Sequence, residues 1–339
     1  MSPQANADTL VLAADLGGTM TALARATARG SAEPLARRKV ESAAWPDFET
    51  LARDFLAAHD SSLLAASGHA HLAAVAVAAA GPIGLDGQRI DVTHLPWHLD
   101  AARIADALGV PRVLLLNDLA ATALGMLELP AQAFACLQGD SPRGPGTLAL
   151  IAAGTGLGEA VVAFDGERPR VLPSEGGHAS FAPRTPREIE LLQHLAGAAG
   201  KHVPVEAVVS GPGLVRIHEF VCARSGTRAR HADAAQIAES GLRGSDPRSA
   251  EALELFVACY GAEAGNLALR AQSHGGVWLG GGIAPKLLPA LRRPAFLEAF
   301  CAKGSFHDWL SALPVAVCLA EDAALRGAIA EARRIAASA

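Results

Sequence analysis

The sequence is poor in aromatic residues and in cysteine. Only 4% of its 339 residues are Phe, Trp or Tyr, although 50% are hydrophobic. The five cysteines are scattered, and they form neither a Cys-x-x-Cys pair nor a Cys/His cluster with zinc spacing. We therefore expect a core of Ala, Leu and Val, with small buried thiols in a reducing compartment, the cytoplasm.

Long basic runs are also missing. Basic residues cluster only in short pairs such as Arg37-Arg38, and the formal net charge is −5. A nucleic-acid-binding protein usually concentrates its positive charge in one footprint. We expect no nucleic-acid partner, so any anionic ligand must be held by local groups.

Neither a signal peptide nor a membrane span is evident in the sequence. The N-terminus lacks a basic region followed by an apolar one. Residues 61–85 carry no Asp, Glu, Lys or Arg, but Gly68, His69, His71, Gly81 and Pro82 interrupt them. A spanning helix needs about 20 continuous apolar residues. We therefore expect a helix end, a buried strand and a Gly-Pro turn here, and no membrane partner.

Two segments of the chain resemble each other. Residues 9–26 and 147–164 each contain an apolar run, a turn of Gly and Thr, and a second apolar run. Each pattern is typical of a buried strand, a turn and another strand. Approximate duplication at this scale predicts two related domains and not a short-repeat solenoid.

Hydrophobic periodicity predicts most of the remaining elements. Apolar spacing predicts helices over Asp47–Ala66, Leu99–Leu108, Asp118–Leu127, Arg187–Ala199, Gly213–Ser225, Ala232–Gly241, Pro247–Ser273 and Ala323–Ala337, with another starting near Pro285. Short apolar runs predict strands over Leu72–Ala79, Arg112–Leu116, Gly276–Leu279 and Val315–Leu319. Strands that alternate with helices favour an α/β fold with mainly parallel pairing.

The first candidate binding segment is Asp15-Leu-Gly-Gly-Thr19, at the end of a predicted strand. Glycines allow close backbone approach and present N–H groups to an anion. An aspartate beside such a turn can hold Mg²⁺ through water. The alternative is an ordinary hairpin turn, in which glycine is common.

The second candidate is Gly154-Thr-Gly-Leu-Gly158, which also follows a predicted strand. Together the two turns could hold one phosphate chain from two sides. The sequence contains no G-x-x-x-x-G-K-[ST], which excludes a P-loop. Neither turn opens a helix in the G-x-G-x-x-G manner, which disfavours a dinucleotide site.

The third candidate is Asn117-Asp118, at the carboxyl end of a predicted strand. Ligands of open α/β sheets bind at this end of the strands. An aspartate there can accept a proton from an attacking hydroxyl group. The alternative is a helix N-cap, a position that Asn and Asp both favour.

The fourth candidate is Glu175-Gly-Gly-His178, followed further on by Glu206. Two polar side chains that flank a Gly-Gly turn can converge on one polyol. The alternative for His178 is a structural histidine with satisfied hydrogen bonds.

Taken together, these segments resemble the bacterial glucokinase family of the hexokinase/actin-like ATPase superfamily. The matching segments follow the order of the family and span nearly the whole chain. They include LAADLGGTMTALA (12–24), AAAGPI (78–83), THLPW (93–97), LLLNDLAATALGM (114–126), AAGTGLGEA (152–160), PSEGGHASFAPR (173–184), VVSGPGLV (208–215) and GGVWLGGGIAPKLL (275–288). The Cys-rich zinc motif of the related repressor-type sugar kinases is absent.

The resemblance implies a two-domain α/β fold of the actin-like ATPase (ribonuclease H-like) type, with the active site in a cleft between the domains. We expect a small domain over residues 1–127, completed by 319–339, and a large domain over 128–318. The implied reaction transfers the γ-phosphoryl group of ATP to the 6-hydroxyl of a hexose, glucose. ATP and Mg²⁺ are the implied cofactors, and a homodimer is the implied assembly.

The resemblance also implies residue roles. Asp118 would be the general base. Its sugar-binding partners would be Asn117, Glu175, His178 and Glu206, with Asp118 itself contacting the sugar. On the nucleotide side, Asp15 would hold Mg²⁺ through water. The phosphates would be bound by two turns, Gly17, Gly18 and Thr19 in the first and Gly154, Thr155 and Gly156 in the second. Gly281 and Gly282 would lie near the adenosine.

The sequence departs from the family pattern at three positions. The family usually reads GGTN-x-R, whereas this chain has Met20 and Ala22 in place of Asn and Arg. His94 stands where an Asn is common. These changes keep two alternatives open: a catalytically silent hexose sensor on the same fold, and a kinase for a different hexose.

Overall fold

The computed structural model describes residues 9–30, 33–67, 71–93, 95–140, 142, 146–166 and 168–338. His94 lies outside these residues. The chain divides into two compact units. The first unit is discontinuous: it comprises the residues up to Leu129 and those from Asp322 onward. The second unit spans Pro130–Glu321. The expected cleft between two domains stays a prediction.

The first unit is built on a five-stranded sheet. Its elements, in chain order, are β1 (Thr9–Leu16), β2 (Met20–Thr27), β3 (Ala36–Glu41), α1 (Phe48–Ser67), β4 (His71–Ala79), β5 (Arg89–Asp91), β6 (His98–Asp100), α2 (Ala101–Leu108), β7 (Val113–Asn117) and α3 (Asp118–Glu128). The strand order is β3-β2-β1-β4-β7; β1, β2 and β3 form an antiparallel meander, while β1, β4 and β7 are parallel. β5 and β6 pair separately.

The second unit contains a six-stranded sheet. Its elements are β8 (Phe134–Gln138), β9 (Leu148–Ala153), β10 (Leu157–Asp165), β11 (Arg168–Ser174), α4 (Pro186–Ala196), α5 (Gly211–Arg224), α6 (Ala234–Arg243), α7 (Pro247–Ala271), β12 (Gly276–Gly280), α8 (Leu288–Leu291), α9 (Pro294–Cys301), α10 (His307–Ala312) and β13 (Val315–Cys318). The strand order is β11-β10-β9-β12-β13-β8. The chain then returns to the first unit as α11 (Ala323–Ala337).

The two sheets share one topology. In each, an antiparallel meander of three strands is followed by two strands parallel to its first strand. β8 adds an antiparallel edge to the second sheet only. The predicted α/β fold is confirmed, but the expected mainly parallel pairing is wrong. In these two sheets four strand pairings are parallel and five are antiparallel, because each sheet contains an antiparallel meander.

Strand alternation divides the core of the first unit into two layers. Along β1, Leu12, Ala14 and Leu16 pack with Phe48, Phe55 and other residues of α1 and α2. Val11 and Ala13, which point the other way, pack with α3 and α11. This second face is rich in alanine, so the helices approach the sheet closely. It is also the face of Asp15, the next residue in the same alternation.

Several boundaries differ from the sequence predictions. Leu99 was predicted to be helical, but it lies in β6, and α2 begins only after Asp100, whose carboxylate caps it by accepting the N–H groups of Ala102 and Arg103. The helix expected near Pro285 is replaced by turns and the short α8.

Two expectations about exposure are also tested. Cys222, Cys259, Cys301 and Cys318 are buried free thiols as predicted, whereas Cys136 is exposed, which corrects that prediction. Within the described ranges, no helix is both long enough and apolar enough to cross a bilayer.

Candidate active-site residues of the two units

The Gly17–Thr19 turn joins β1 to β2 as a tight hairpin. The N–H group of Gly17 donates to the carbonyl oxygen of Met20 at 3.0 Å. Gly18 and Thr19 are exposed at the tip, while Asp15 is half-buried at the end of β1. The hairpin alternative is therefore correct as a description of the backbone, and it leaves the tip available to a ligand.

Ser42, the residue that follows β3, fixes this turn through contacts that sequence reasoning missed. Its N–H group donates to the carbonyl oxygen of Thr19 at 2.9 Å, and its Oγ donates to that of Gly17 at 2.8 Å. The hydroxyl groups of Ser42 and Thr21 are 2.9 Å apart and buried. Nothing in the local sequence pattern signals a contact across so many residues.

Asn117 and Asp118 lie where β7 passes directly into α3. Asn117 is the N-cap: its Oδ1 accepts the N–H groups of Leu119 at 3.0 Å and Ala120 at 3.2 Å. Asp118 is the first helical residue, and its Oδ1 accepts the N–H of Leu119 at 2.8 Å. The capping alternative thus describes Asn117, and Asp118 follows it at the first position of α3.

Strand register brings Asp15 and Asp118 to one edge of the sheet. Leu16 and Asn117 both pair with Ala79 of the strand between them, so the carboxyl ends of β1 and β7 lie level. Burial, followed by repulsion from Asp118, raises the pKa of Asp15 to about 6, and Lys39 opposes the rise. Two interacting carboxylates beside an exposed glycine turn are typical of functional sites.

The second turn, Gly154–Gly158, joins β9 to β10. The N–H of Gly154 donates to the carbonyl oxygen of Gly156, and the carbonyl oxygen of Gly154 accepts the N–H of Gly211, both at 2.8 Å. Gly211 is the first residue of α5, whose N-cap Ser210 accepts the N–H of Gly213. The positive end of the α5 dipole therefore adjoins this turn, an arrangement that suits phosphate.

A cavity of about 1060 Å³ opens beside this turn in the second unit. Gly154, Thr155 and Gly282 line it together with α5 and α6. Gly281 has φ +78°, and a Cβ at this position would overlap the carbonyl oxygen of Ala153 at the end of β9. The structure thus brings both predicted glycine groups of this unit to the end of β9.

Glu175 directly precedes a short 3₁₀-helix formed by residues 176–178, and His178 is the last residue of that helix. Both side chains are exposed, and His178 Nε2 lies 3.9 Å from Glu175 Oε2. The two glycines between them are required by packing: a Cβ at Gly177 would overlap the carbonyl oxygen of Leu157, and one at Gly176 would overlap Glu159 Oε2. The exposure of His178 argues against the purely structural alternative.

Glu206 is held next to the same segment. The N–H of Val205 donates to the carbonyl oxygen of Ala179 at 2.9 Å, which pairs the two stretches of chain. Glu206 Oε2 accepts the N–H of Leu157 at 3.0 Å and lies against Gly156. Glu206 therefore connects the Glu175–His178 segment to the Gly154–Gly158 turn.

A buried carboxylate pair, which sequence reasoning did not find, underlies the Glu175–His178 turn. Glu159 on β10 is only 1% exposed and Glu263 on α7 only 5% exposed. Burial, followed by repulsion from Glu263, raises the pKa of Glu159 to about 7. Glu263 also bonds to Arg270 and accepts Asn266 Nδ2 at 2.9 Å.

The predicted residues thus form two groups. Asp15, the Gly17–Thr19 turn, Asn117 and Asp118 belong to the first unit. The remaining predicted residues, from Gly154 to Gly282, belong to the second. Among the described residues, no cluster of three or more His, Cys, Asp or Glu side chains could hold a metal ion. The half-buried carboxylate of Asp15, beside exposed glycines, fits a role in which Mg²⁺ is held through water.

Solved structures share this fold. The glucokinase from an Antarctic psychrotroph matches with a TM-score of 0.85 at 29% sequence identity, over 96% of this chain and 99% of that one. The Balamuthia mandrillaris glucokinase, solved in complex with glucose, has a TM-score of 0.78 at 24% identity, over 96% and 94% of the two chains. The fold is that of the sugar kinases of the actin-like ATPase type.

The sequence comparisons narrow this class to a family. The Glucokinase family model matches residues 12–335. The curated glucokinase of Nostoc sp. is 36% identical over 350 residues, which cover 96% of this chain and 100% of that protein. The chain belongs to the glucokinase family, and the resemblance inferred from its segments is confirmed.

Proposed function

We propose that this protein transfers the γ-phosphoryl group of ATP to the 6-hydroxyl of glucose. The observation that carries the proposal is the family match over residues 12–335, within which the Asp118 carboxylate stands at the carboxyl end of β7. Phosphoryl transfer needs positioning and charge neutralisation more than covalent chemistry, and backbone turns with a neighbouring carboxylate suit both needs.

In this proposal Asp118 is the general base. Its place at the first position of α3, with one oxygen anchored by Leu119 N–H, supports a fixed carboxylate that accepts the proton of the 6-hydroxyl. General-base assistance of this kind is worth about 10²–10⁴-fold in rate. Asn117 orients Asp118 by capping the helix, and we assign it a sugar contact as well.

The other sugar contacts are assigned to Glu175, His178 and Glu206. Their carboxylates and imidazole can pair with vicinal hydroxyl groups. The hydrogen bonds that join residues 179–181 to 203–205 support a common site for the three side chains.

The nucleotide is assigned to the two glycine turns and to the cavity of the second unit. Its volume of about 1060 Å³ is ample for a nucleoside, since small-molecule pockets measure about 300–1,000 Å³. Gly281 and Gly282 would lie by the adenosine, and Gly154, Thr155 and Gly156 by the phosphates. Mg²⁺, held near Asp15 through water, would neutralise charge on the transferred group.

Three further features belong to the same proposal. We assign the two compact units as the small and large domains of the kinase. We also expect a homodimer that works in the cytoplasm, with a hexose as its small-molecule partner and no nucleic-acid or membrane partner. Sedimentation of the purified protein would test the dimer directly.

An ADP-release assay with Mg-ATP tests the function. Glucose, fructose, mannose, galactose and N-acetylglucosamine are compared, each with the unaltered protein and with Asp118→Asn. We expect glucose-dependent turnover that falls about 10²–10⁴-fold in the variant while glucose binding is kept, because the variant lacks only the proton acceptor. Turnover that survives in Asp118→Asn would contradict the assignment of the base.

Met20 and Ala22 favour one second candidate, a silent hexose sensor. It requires glucose binding by calorimetry with no ADP formation on any sugar. Reverting both residues to Asn and Arg would then be expected to create turnover. A third outcome, turnover on another hexose, would direct attention to His94, and His94→Asn should shift the preference towards glucose.

A further inference from the structure

Three residues of the first unit form a row across three strands. Asp15 on β1 pairs directly with Ala22 on β2, and Ala22 pairs directly with Lys39 on β3. Directly paired residues of an antiparallel sheet share a face. Lys39 is therefore two strand spacings, of about 4.8 Å each, from Asp15, within the combined reach of the two side chains.

The row lies on the sheet face that carries α3 and α11. Ala22 packs against that layer, whereas Ala36 and Val40 of β3 pack on the opposite one. Lys39 therefore shares its face with Asp15 by strand alternation. The methyl group of Ala22 is too short to block the space between them, so the four-carbon stem of the lysine can cross it.

The basic residues of β3 on this face differ in their salt bridges. Arg37, two residues before Lys39, is bound by Asp322 at 2.6 Å and by Glu33 at 3.4 Å. Lys39 forms no salt bridge with any residue that the structure describes. Asp118 and Lys39 are the charges that act on Asp15, in opposite directions. Lys39 is thus an exposed ammonium group beside the Asp15 carboxylate and close to the Gly17–Thr19 turn.

We infer that Lys39 is a further phosphate-binding residue, whose ammonium group holds the terminal phosphates of ATP beside Asp15 and the Gly17–Thr19 turn. The inference rests on the proposed function, and it adds a side-chain cation to a turn that offers mainly backbone groups. Lysine is suited to this task because its charge is compact and its stem is flexible.

Binding measurements with two nucleotides test the inference. The dissociation constants of ATP and AMP, each with Mg²⁺, are measured by calorimetry for the unaltered protein, Lys39→Ala and Lys39→Arg. We expect Lys39→Ala to weaken ATP binding about 10- to 100-fold, the loss of one charge-assisted contact, and to leave AMP binding unchanged. Lys39→Arg should retain most of the ATP affinity.

A charge moved along the row gives a stricter test. In the double variant Ala22→Arg/Lys39→Ala, the cation sits one strand nearer to Asp15. We expect this variant to recover ATP binding, because the row requires a positive charge and not the lysine itself. Lys201→Ala, which removes an exposed lysine of the second unit, is the matched control.

The possible results distinguish a failure of this inference from a failure of the proposed function. Equal ATP affinity in Lys39→Ala and Lys201→Ala would overturn the inference, as would an equal loss of ATP and AMP binding. Absence of ATP binding by the unaltered protein would overturn it too. If ATP binds and responds to Lys39 but no hexose is phosphorylated, only the proposed function fails.

Discussion

At the scale of single residues, the site depends on carboxylates whose surroundings differ. Asp118 is anchored at the start of α3, and Asp15 is half-buried beside it. Burial and the neighbouring negative charge both oppose ionisation of Asp15, and they bring its pKa to about 6. In the proposed function Asp15 must be ionised to hold Mg²⁺ through water, so its surroundings oppose the charge that this role requires.

This arrangement predicts that kcat/KM for ATP depends on pH. Protonated Asp15 cannot hold Mg²⁺ through water, so kcat/KM for ATP should fall as the pH drops through about 6. Lys39→Ala should raise the pKa of Asp15 further, because it removes the charge that lowers this pKa and keeps Asp118, which raises it. The acid limb should therefore move to higher pH. A pH–rate profile checks both expectations. An acid limb that stays in place without Lys39 would contradict the electrostatic link.

Local sequence was sufficient to select the candidate site residues, and their roles stay predictions. The glycine turns, Asn117-Asp118 and Glu175–His178 each follow a predicted strand or flank a Gly-Gly pair. Ser42, Lys39 and the Glu159–Glu263 pair were not found, since they act through cross-strand or helix-to-strand contacts. Ala22, which the sequence marked as a departure from the family, lies between Asp15 and Lys39 in the row across the three strands.

At the scale of elements, the Glu175–His178 turn packs against the buried carboxyl group of Glu159. Glu159 lies beneath Gly176, and its neighbours are the carboxylate Glu263 and the guanidinium of Arg270. A raised pKa in the folded state means that ionisation of Glu159 destabilises the fold. The stability that the protonated group contributes is present below its unfolded pKa of 4.5 and is lost as the pH rises through about 7.

Glu159→Gln should therefore flatten the pH dependence of stability. We expect the variant to be more stable than the unaltered protein at pH 8, by about 1–3 kcal/mol, and nearly equal to it at pH 4.5. Urea unfolding across this range measures the difference. Glu298→Gln, at an exposed position on α9, is the matched control. A loss of stability at pH 8 would mean that the ionised pair supports the turn.

Element boundaries were predictable where a pattern was strong. The predicted ranges of α11 and α3 agree with the structure to within one residue, because their apolar spacing is regular and α3 also begins at a capping residue, Asn117. β3, β8 and β11 were missed, since edge strands bury little and their sequences alternate weakly. Leu99 was assigned to α2 because a buried apolar residue just before a helix fits both the spacing of a helix and that of a strand.

At the scale of the whole molecule, one topology is used twice. In the second sheet, the helices α4 to α7 are inserted between β11 and β12, and two of them, α5 and α6, line the large cavity. The chain then returns to the first unit as α11, which covers the alanine-rich face of the first sheet. Arg326 on α11 bonds Asp322 and Glu33, which fastens the start of the helix to the segment before β3.

The return of α11 depends on glycines. Gly125 on α3 and Gly327 on α11 let the two helices touch: a Cβ at Gly327 would overlap the carbonyl oxygen of Ala121, and one at Gly125 that of Ala323. Gly327→Ala should cost about 1–3 kcal/mol by overpacking, although alanine favours helices. Thermal unfolding measures this loss, with exposed Arg334→Ala as the control. An increase in stability would contradict the close contact.

The central claim is phosphoryl transfer to the 6-hydroxyl of glucose. Its most direct test compares glucose with 6-deoxyglucose, which lacks only the accepting hydroxyl. The purified protein is given Mg-ATP with each sugar, and ADP and sugar phosphate are quantified together. We expect one glucose 6-phosphate for each ADP from glucose, and binding without sugar phosphate from 6-deoxyglucose. Phosphorylation of 6-deoxyglucose, or no product from glucose, would contradict the account.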